Sequence, residues 1–236
     1  MTKPETRAFF VAGSGTGIGK TYVTAALTRR LRAQGRAVLT LKPLASGVPS
    51  LDDPTFRDSD TAILLAAQGL AQSAAMVEAC TPWRFAAALA PDLAAAREGR
   101  ALALADLVAW CAARIDAAAG ATVLIEGVGG LMSPVTPEAT GLDWLKALSL
   151  PTLLVSGSYL GAISHALTAI ETLRAHDLPL LGVAVSESED APTPPEIVAE
   201  AIAKRSGAAV ACLGRGARCP DALIGLIPDQ QVRSIV

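Results

Sequence analysis

The feature that most constrains this chain is a glycine-rich run set between an apolar stretch and a helical pattern: Gly13-Ser-Gly-Thr-Gly-Ile-Gly19-Lys20-Thr21, directly after Ala8–Ala12 (AFFVA). Glycines permit positive φ and close backbone approach, so successive N–H groups can converge on phosphate oxygens. The helix opening at Lys20 adds the partial positive charge of its N-terminus. Lys20 is then placed to neutralise β- and γ-phosphate oxygens, and the Thr21 hydroxyl to ligate Mg²⁺. The competing reading is a glycine-rich turn with a chance Lys-Thr, and the strand before and helix after argue against it. The expected ligand is ATP, in preference to GTP, with Mg²⁺. The loop is one residue longer than the pattern GxxxxGK[ST], because Gly13 stands six positions before Gly19 rather than five.

The rest of the chain continues the strand–loop–helix alternation. Lys20 to Gln34 carries Val23, Ala26, Leu27 and Leu31 at helical spacing and stops at Gly35. Further apolar strands are expected at Ala37–Leu41, Thr122–Ile125, Thr152–Val155, Leu180–Val185 and Ala209–Leu213, with helices near Asp58–Ala67, Leu102–Ala118, Gly161–Arg174 and Pro195–Ser206. Continuous apolar strands separated by helices demand a parallel sheet covered on both faces. The expected fold is a doubly wound, mostly parallel α/β sheet of the P-loop NTPase kind, in one domain spanning 1–236. Pro43–Arg57 and Glu187–Pro195 read as loops, the second a proline-rich surface connection.

Composition narrows the function classes. The chain has 236 residues, 51% of them hydrophobic, and a mean hydropathy of +0.41. Its apolar stretches are nevertheless broken by charges such as Asp106, Arg114 and Asp116, leaving no uncharged run of about 18 residues to span a bilayer. A formal charge of −2 offers no broad attraction for nucleic acid or anionic lipid. The N-terminal run after Lys3, Glu5 and Arg7 is too short for a signal-peptide core, and Gln230–Val236 too short for a membrane-targeting tail. A cytoplasmic protein is expected. Cys80, Cys111, Cys212 and Cys219 show no CxxC spacing, and with only His165 and His176 beside them they read as small hydrophobes.

A phosphate loop needs a metal-organising carboxylate. Glu126 ends the strand TVLI ahead of Gly127-Val-Gly-Gly130, where strand C-termini face the ligand crevice and glycines admit the nucleotide. Asp60, at a helix start, reads equally as a ligand or as a cap. Lys42 ends the second strand in Leu41-Lys-Pro-Leu-Ala-Ser46-Gly47, placed to meet a γ-phosphate or anionic substrate. Its competing reading is a snorkelling lysine.

These segments together resemble the dethiobiotin synthetase family. The longer loop is Gly13–Thr21, K-P-x-x-S-G is Lys42–Gly47, S-D is Ser59-Asp60, E-G-x-G-G is Glu126–Gly130, and D-W is Asp143-Trp144. L-G-x-I-x-H-x-L is Leu160–Leu167, and G-x-I-P is Gly225–Pro228. The resemblance implies an ATP- and Mg²⁺-dependent cyclo-ligase that joins CO₂ to 7,8-diaminononanoate through a phosphorylated carbamate. Lys20, Lys42 and Thr16 would then be catalytic, Thr16 and Ser46 contacting the carbamate or amine. Thr21, Asp60 and Glu126 would hold the metal. Gly17, Ile18, Gly19, Tyr22, Gly127, Val128, Gly129, Ser186 and Pro228 would line the nucleotide, and the stretch Gly161–His165, with Gly161 and Ser164 foremost, would receive the substrate carboxylate across a homodimer interface.

The chain departs from the family pattern at Gly17 (an acid in the family), Pro91-Asp92 (Pro-His), Ser164 (Asn) and Ser186 (Asn). Two other readings share the loop: an ATP-dependent amidation domain of corrin synthesis, and a switch ATPase like those that position septum proteins or plasmids. The first normally has a glutamine-hydrolysing partner, for which this chain has no room. The second carries an early loop lysine where this chain has Gly15.

Overall fold

The computed structural model describes residues 6–228. Lys3, Glu5 and the segment Gln230–Val236 lie outside the described residues. The chain runs β1 (Arg7–Gly13), α1 (Lys20–Ala33), β2 (Val38–Leu41), β3 (Leu44–Ser46), a 3₁₀ turn (Pro54–Asp58), α2 (Asp60–Ala67), α3 (Ala74–Cys80), β4 (Trp83–Phe85) and α4 (Pro91–Arg97). It continues through α5 (Leu104–Ala117), β5 (Thr122–Glu126), α6 (Gly141–Leu148), β6 (Thr152–Ser156), α7 (Ala162–Ala175), β7 (Leu180–Ser186), α8 (Pro195–Ser206), β8 (Val210–Leu213) and α9 (Asp221–Ile224).

Six strands form one sheet in the order β2-β5-β1-β6-β7-β8, every described pair parallel. Both faces are covered, as the unbroken apolar strands require. Along β1 the pleat sends Phe10 and Ala12 into one core with α5, α6, α7 and α8, and Phe9 and Val11 into the other with α1 and α9. From β1 the chain first winds towards β2 and later crosses to β6 on the other side. The strand order therefore reverses at β1, and the C-terminal ends of β1 and its neighbours face the crevice where such sheets bind ligands.

All six strands expected from the sequence are present. Four reach further than their apolar runs, to Gly13, Glu126, Ser156 and Ser186. The ladder carries these polar ends into buried register, with Val11 opposite Glu126 and Ser186 opposite Leu213. Pro43–Arg57 is not wholly a loop: it contains β3, paired in parallel with β4, and a 3₁₀ turn whose Thr55 N–H donates to the Asp53 carboxylate. A three-residue strand whose partner lies far along the chain leaves no local periodicity to read. The short helices α3, α4, α6 and α9 were likewise not expected.

The edge strand β2 is secured by a side chain. Gln68 Oε1 accepts from Thr40 N–H at 2.8 Å and Gln68 Nε2 donates to Thr40 O at 2.9 Å, in the manner of a neighbouring strand. Because Gln68 ends α2, this pair locks α2 to β2 and fixes the other end of that helix, where Asp60 sits.

Helix α6 begins with a reciprocal cap. Asp143 Oδ2 accepts from both the N–H and the hydroxyl of Thr140 at 2.9 and 2.8 Å, which holds the Asp143 carboxyl below its ordinary pKa of 3.8. A lowered carboxyl stabilises the fold above its unfolded pKa, and the contribution disappears as pH falls through the folded value. Asp143→Ala is expected to cost about 1 kcal/mol at pH 7. The deficit relative to the parent should shrink as pH falls below the ordinary value of 3.8, which urea melts at neutral and acid pH would show.

Candidate active site

The Gly13–Thr21 run bridges β1 and α1 and wraps over the N-terminus of α1. Gly19 caps that helix with φ 91°, a left-handed conformation that side-chain-bearing residues rarely adopt, and any Cβ there would run into Ser186. At Gly13 the constraint is close approach: a Cβ would lie 2.8 Å from Lys20 Nζ and 2.9 Å from Gly129 O. The Gly127–Gly130 turn thus rests directly on the phosphate loop, tied by Leu131 N–H donating to Gly13 O at 2.9 Å. Gly17, where the resembled family carries an acid, has φ 69° and open space around the Cβ position, so glycine relieves backbone strain there and leaves the cleft wider.

Two lysines converge beside this loop. Lys20 is buried and its Nζ donates to Gly15 O at 2.8 Å. Burial first, and then repulsion from Lys42, lowers its pKa to about 8. Lys42 directly follows β2, 2% exposed, so it is not a snorkelling surface lysine. Its Nζ donates to Glu126 Oε1 at 2.7 Å and Gly127 O at 2.9 Å, and pairs with Asp60 Oδ2 at 3.1 Å. Burial alone would lower its pKa. Glu126 and then Asp60 more than offset this and hold the ammonium above the ordinary lysine value.

The carboxylates close the cluster. The Thr21 hydroxyl donates to Glu126 Oε1 at 2.7 Å and lies within hydrogen-bond reach of Asp60. Burial opposes the Asp60 charge, yet Lys42 and Thr21 hold its carboxyl below 3.8. Ser59, not Asp60, is the side-chain cap of α2, accepting from Ala62 N–H, which leaves the Asp60 carboxylate facing Lys42. Glu126 is fully buried, and its second oxygen, Oε2, has no hydrogen-bond partner among the described residues. A buried, charged, unpartnered oxygen beside a hydroxyl and a second carboxylate is a hard-cation donor set. Among the described residues no three His, Cys, Asp or Glu side chains assemble. A cation bound here would take its remaining ligands from phosphate and water, which is how Mg²⁺ is commonly held.

Beyond the lysines the loop opens into a cleft of about 590 Å³ lined by Thr16 to Gly19, Tyr22 and Ser186, together with Tyr159, Glu187, Glu189, Arg215 and Gly216. The Tyr22 hydroxyl donates to Gly214 O at 2.8 Å, and Glu187 accepts from Arg215 N–H at 2.8 Å. Of the expected nucleotide residues, Val128 turns its side chain to the core, and Pro228 follows α9 and does not line the cleft. Arg215 and Gly216, just after β8, line the cleft as well. The rule that strand C-termini face the crevice pointed to this segment, whereas Gly225–Pro228 carried only the motif. Ser46 lies on β3 in register with Phe85, and no hydrogen bond joins its side chain to the lysine cluster among the described residues. Gly161 and Ser164 line a separate surface cleft of about 470 Å³. The cysteines are all free, Cys80 and Cys111 buried, and burial pushes the Cys111 thiol up to about 12.

Known proteins can be set against this geometry. A family model described as an AAA domain matches residues 7–215. An ATP-dependent dethiobiotin synthetase BioD of Methylobacterium nodulans is 69% identical over 220 residues, covering 93% of this chain and 98% of the relative. The protein of the same name from Acidiphilium cryptum is 44% identical, covering 85% and 88%. Among solved structures, the MinC:MinD cell division complex of Aquifex aeolicus aligns with TM-score 0.52 at 14% identity over 93% of this chain and 84% of that one. Chloroplast FtsY of Physcomitrella patens aligns with TM-score 0.51 at 16% identity, over 97% and 66%. At such identities these two report a shared fold and nothing more.

Proposed function

Because this chain belongs to the ATP-dependent dethiobiotin synthetase family, we propose that its lysine–carboxylate cluster performs the ring closure of 7,8-diaminononanoate with CO₂ to dethiobiotin, a step of biotin biosynthesis. One amine of the diamine takes up CO₂ as a carbamate. The carbamate oxygen receives the terminal phosphoryl group of ATP, and the second amine attacks the mixed anhydride, closing the ring with release of phosphate and ADP. Negative charge gathers on phosphoryl and carbamate oxygens, so the protein contributes mainly positioned cations and N–H donors.

The observation that carries the reading is the convergence of Lys20, Lys42, Thr21 and Glu126 beside the phosphate loop. Lys20 and Lys42 hold the transferring phosphoryl oxygens, and Thr16 and Ser46 contact the carbamate or amine. Gly17 to Tyr22, Gly127, Gly129 and Ser186 surround the nucleotide. Mg²⁺, held by Thr21, Asp60 and Glu126, supplies charge neutralisation at the phosphates. The diamine carboxylate is received by Gly161 and Ser164 of a second copy in a homodimer. Leu160, 89% exposed at the start of α7, supports an interface there. Among the described residues no helix is long and apolar enough to cross a membrane. This, with small-molecule substrates, favours one cytoplasmic domain.

The test is direct: with ATP, Mg²⁺ and bicarbonate, ADP release should depend on added diamine. Stimulation by DNA or lipid vesicles, with none by diamine, would overturn the reading. Glu126→Gln is expected to weaken Mg²⁺-dependent nucleotide binding about tenfold, an amide being a poorer ligand for a hard cation than a carboxylate. An unchanged Mg²⁺ titration would remove Glu126 from the metal site.

A further inference from the structure

A tyrosine–histidine pair stands over the phosphate loop, and none of the phosphoryl-transfer roles above uses it. Tyr159 follows β6 on the turn into α7, and its hydroxyl lies 2.8 Å from His165 Nδ1, one turn into that helix. The two rings are 5.7 Å apart and inclined at 45°. Tyr159 leans across the crevice: a Cβ on Gly15, in the phosphate loop, would lie 3.6 Å from the Tyr159 oxygen. The ring has a fixed seat. A Cβ on Gly157 would come within 2.7 Å of it, so glycine there makes the room, and the ring packs against both hydrophobic cores. Tyr159 is also shared by the 590 Å³ cleft of the phosphate loop and the 470 Å³ cleft that holds Gly161 and Ser164.

We propose that the Tyr159 hydroxyl binds the terminal phosphoryl group of the nucleotide, and that His165 is the positioning residue that turns the hydroxyl proton towards it. A phosphate oxygen only accepts hydrogen bonds, so the hydroxyl must donate to it. The same hydroxyl has a single proton. It can serve the phosphate only if His165 donates through Nδ1–H to the tyrosine oxygen, a polarity open to the neutral ring in its Nδ1–H tautomer and to imidazolium alike. The chain His165 Nδ1–H to Tyr159 O–H to phosphoryl oxygen then places a neutral donor opposite Lys20 and Lys42. This donor bounds the loop on the side facing the Gly161 cleft, and the hydroxyl itself brings no charge to a site already holding two ammonium groups.

The inference deepens the ring-closure reading and uses a readout independent of it. Binding of ADP and of a non-hydrolysable ATP analogue is measured by calorimetry with Mg²⁺. Tyr159→Phe is expected to weaken the analogue about tenfold, the size of a lost hydrogen bond to a charged group, and to leave ADP within twofold. His165→Leu should do the same, His165→Asn should recover most of the affinity by donating from its amide nitrogen, and His165→Leu added to Tyr159→Phe should cost nothing more. In the turnover assay the same variants should lower kcat more than the KM for diamine. Equal loss for ADP and the analogue, no loss in Tyr159→Phe, or multiplying losses in the double variant would overturn the proposal. Parent protein that discriminates the analogue through Tyr159 yet shows no diamine-dependent ADP release would overturn the ring-closure reading alone.

Discussion

Lys42→Ala is expected to lower diamine-dependent turnover by about 10²–10³-fold, the usual loss when one preorganised donor to a developing anion is removed. The same change should also destabilise the protein. Lys42 is the partner of Glu126, which is fully buried at 2.7 Å from it, and removing one member of a buried pair strands the other charge at a cost of about 3–5 kcal/mol. ATP binding itself should largely survive in the folded fraction. The structure adds a folding cost, so the experiment needs urea denaturation alongside kinetics. Lys42→Arg separates the two roles: a guanidinium keeps the charge for Glu126 but cannot reproduce the compact ammonium at the same point. Arginine should therefore recover more stability than turnover. Near-normal kcat in a folded Lys42→Ala protein would remove the lysine from the chemistry.

Trp144→Ala is expected to be the most destabilising single change in the core, at about 3–5 kcal/mol. Its side chain is completely buried and meets Phe10 edge-on, ring centroids 5.0 Å apart at 89°, and its indole N–H has no hydrogen-bond partner among the described residues. The effect should reach the site. Phe10 lies beneath Gly127, where a Cβ would approach its ring to 2.9 Å, and a Cβ on Gly141, at the start of α6, would come within 2.9 Å of Leu131 O. The pair Phe10–Trp144 thus supports the turn that rests on the phosphate loop from below. Thermal melting should fall by roughly 10 °C, given ~2–4 °C per kcal/mol for a domain of this size. The KM for ATP should rise in parallel, while Trp144→Phe keeps the edge-on contact and recovers most of both. A melting point within two or three degrees of the parent would show that the turn is held by other contacts.

What could be read in advance follows from the range of the interactions involved. The loop, the six strands, α1, α2, α5, α7 and α8 announce themselves through local pattern: glycines before a helix start, or apolar residues at the period of a strand or helix. The pair β3–β4 and the short helices do not, because a few residues held by distant partners carry no period of their own. Asp60 shows the same limit within the site. As a sequence it was equally a cap or a ligand. Ser59 takes the cap, and the clamp of Gln68 on Thr40 aims α2 so that Asp60 meets Lys42.

The sequence alone determined the chemistry: a phosphate loop with Lys20 and Thr21, a lysine and a glutamate at the ends of strands, and the spaced motifs of one family. Those are properties of single residues and their near neighbours. Tertiary structure decided which of them meet. It buried Lys42 against Glu126, set Arg215 and Gly216 on the cleft beside the phosphate loop, and brought Tyr159, just after the strand next to β1, to Gly15. Each of those contacts joins segments remote along the chain and adjacent only because the strand order reverses at β1, a fact of topology that no local window of residues records.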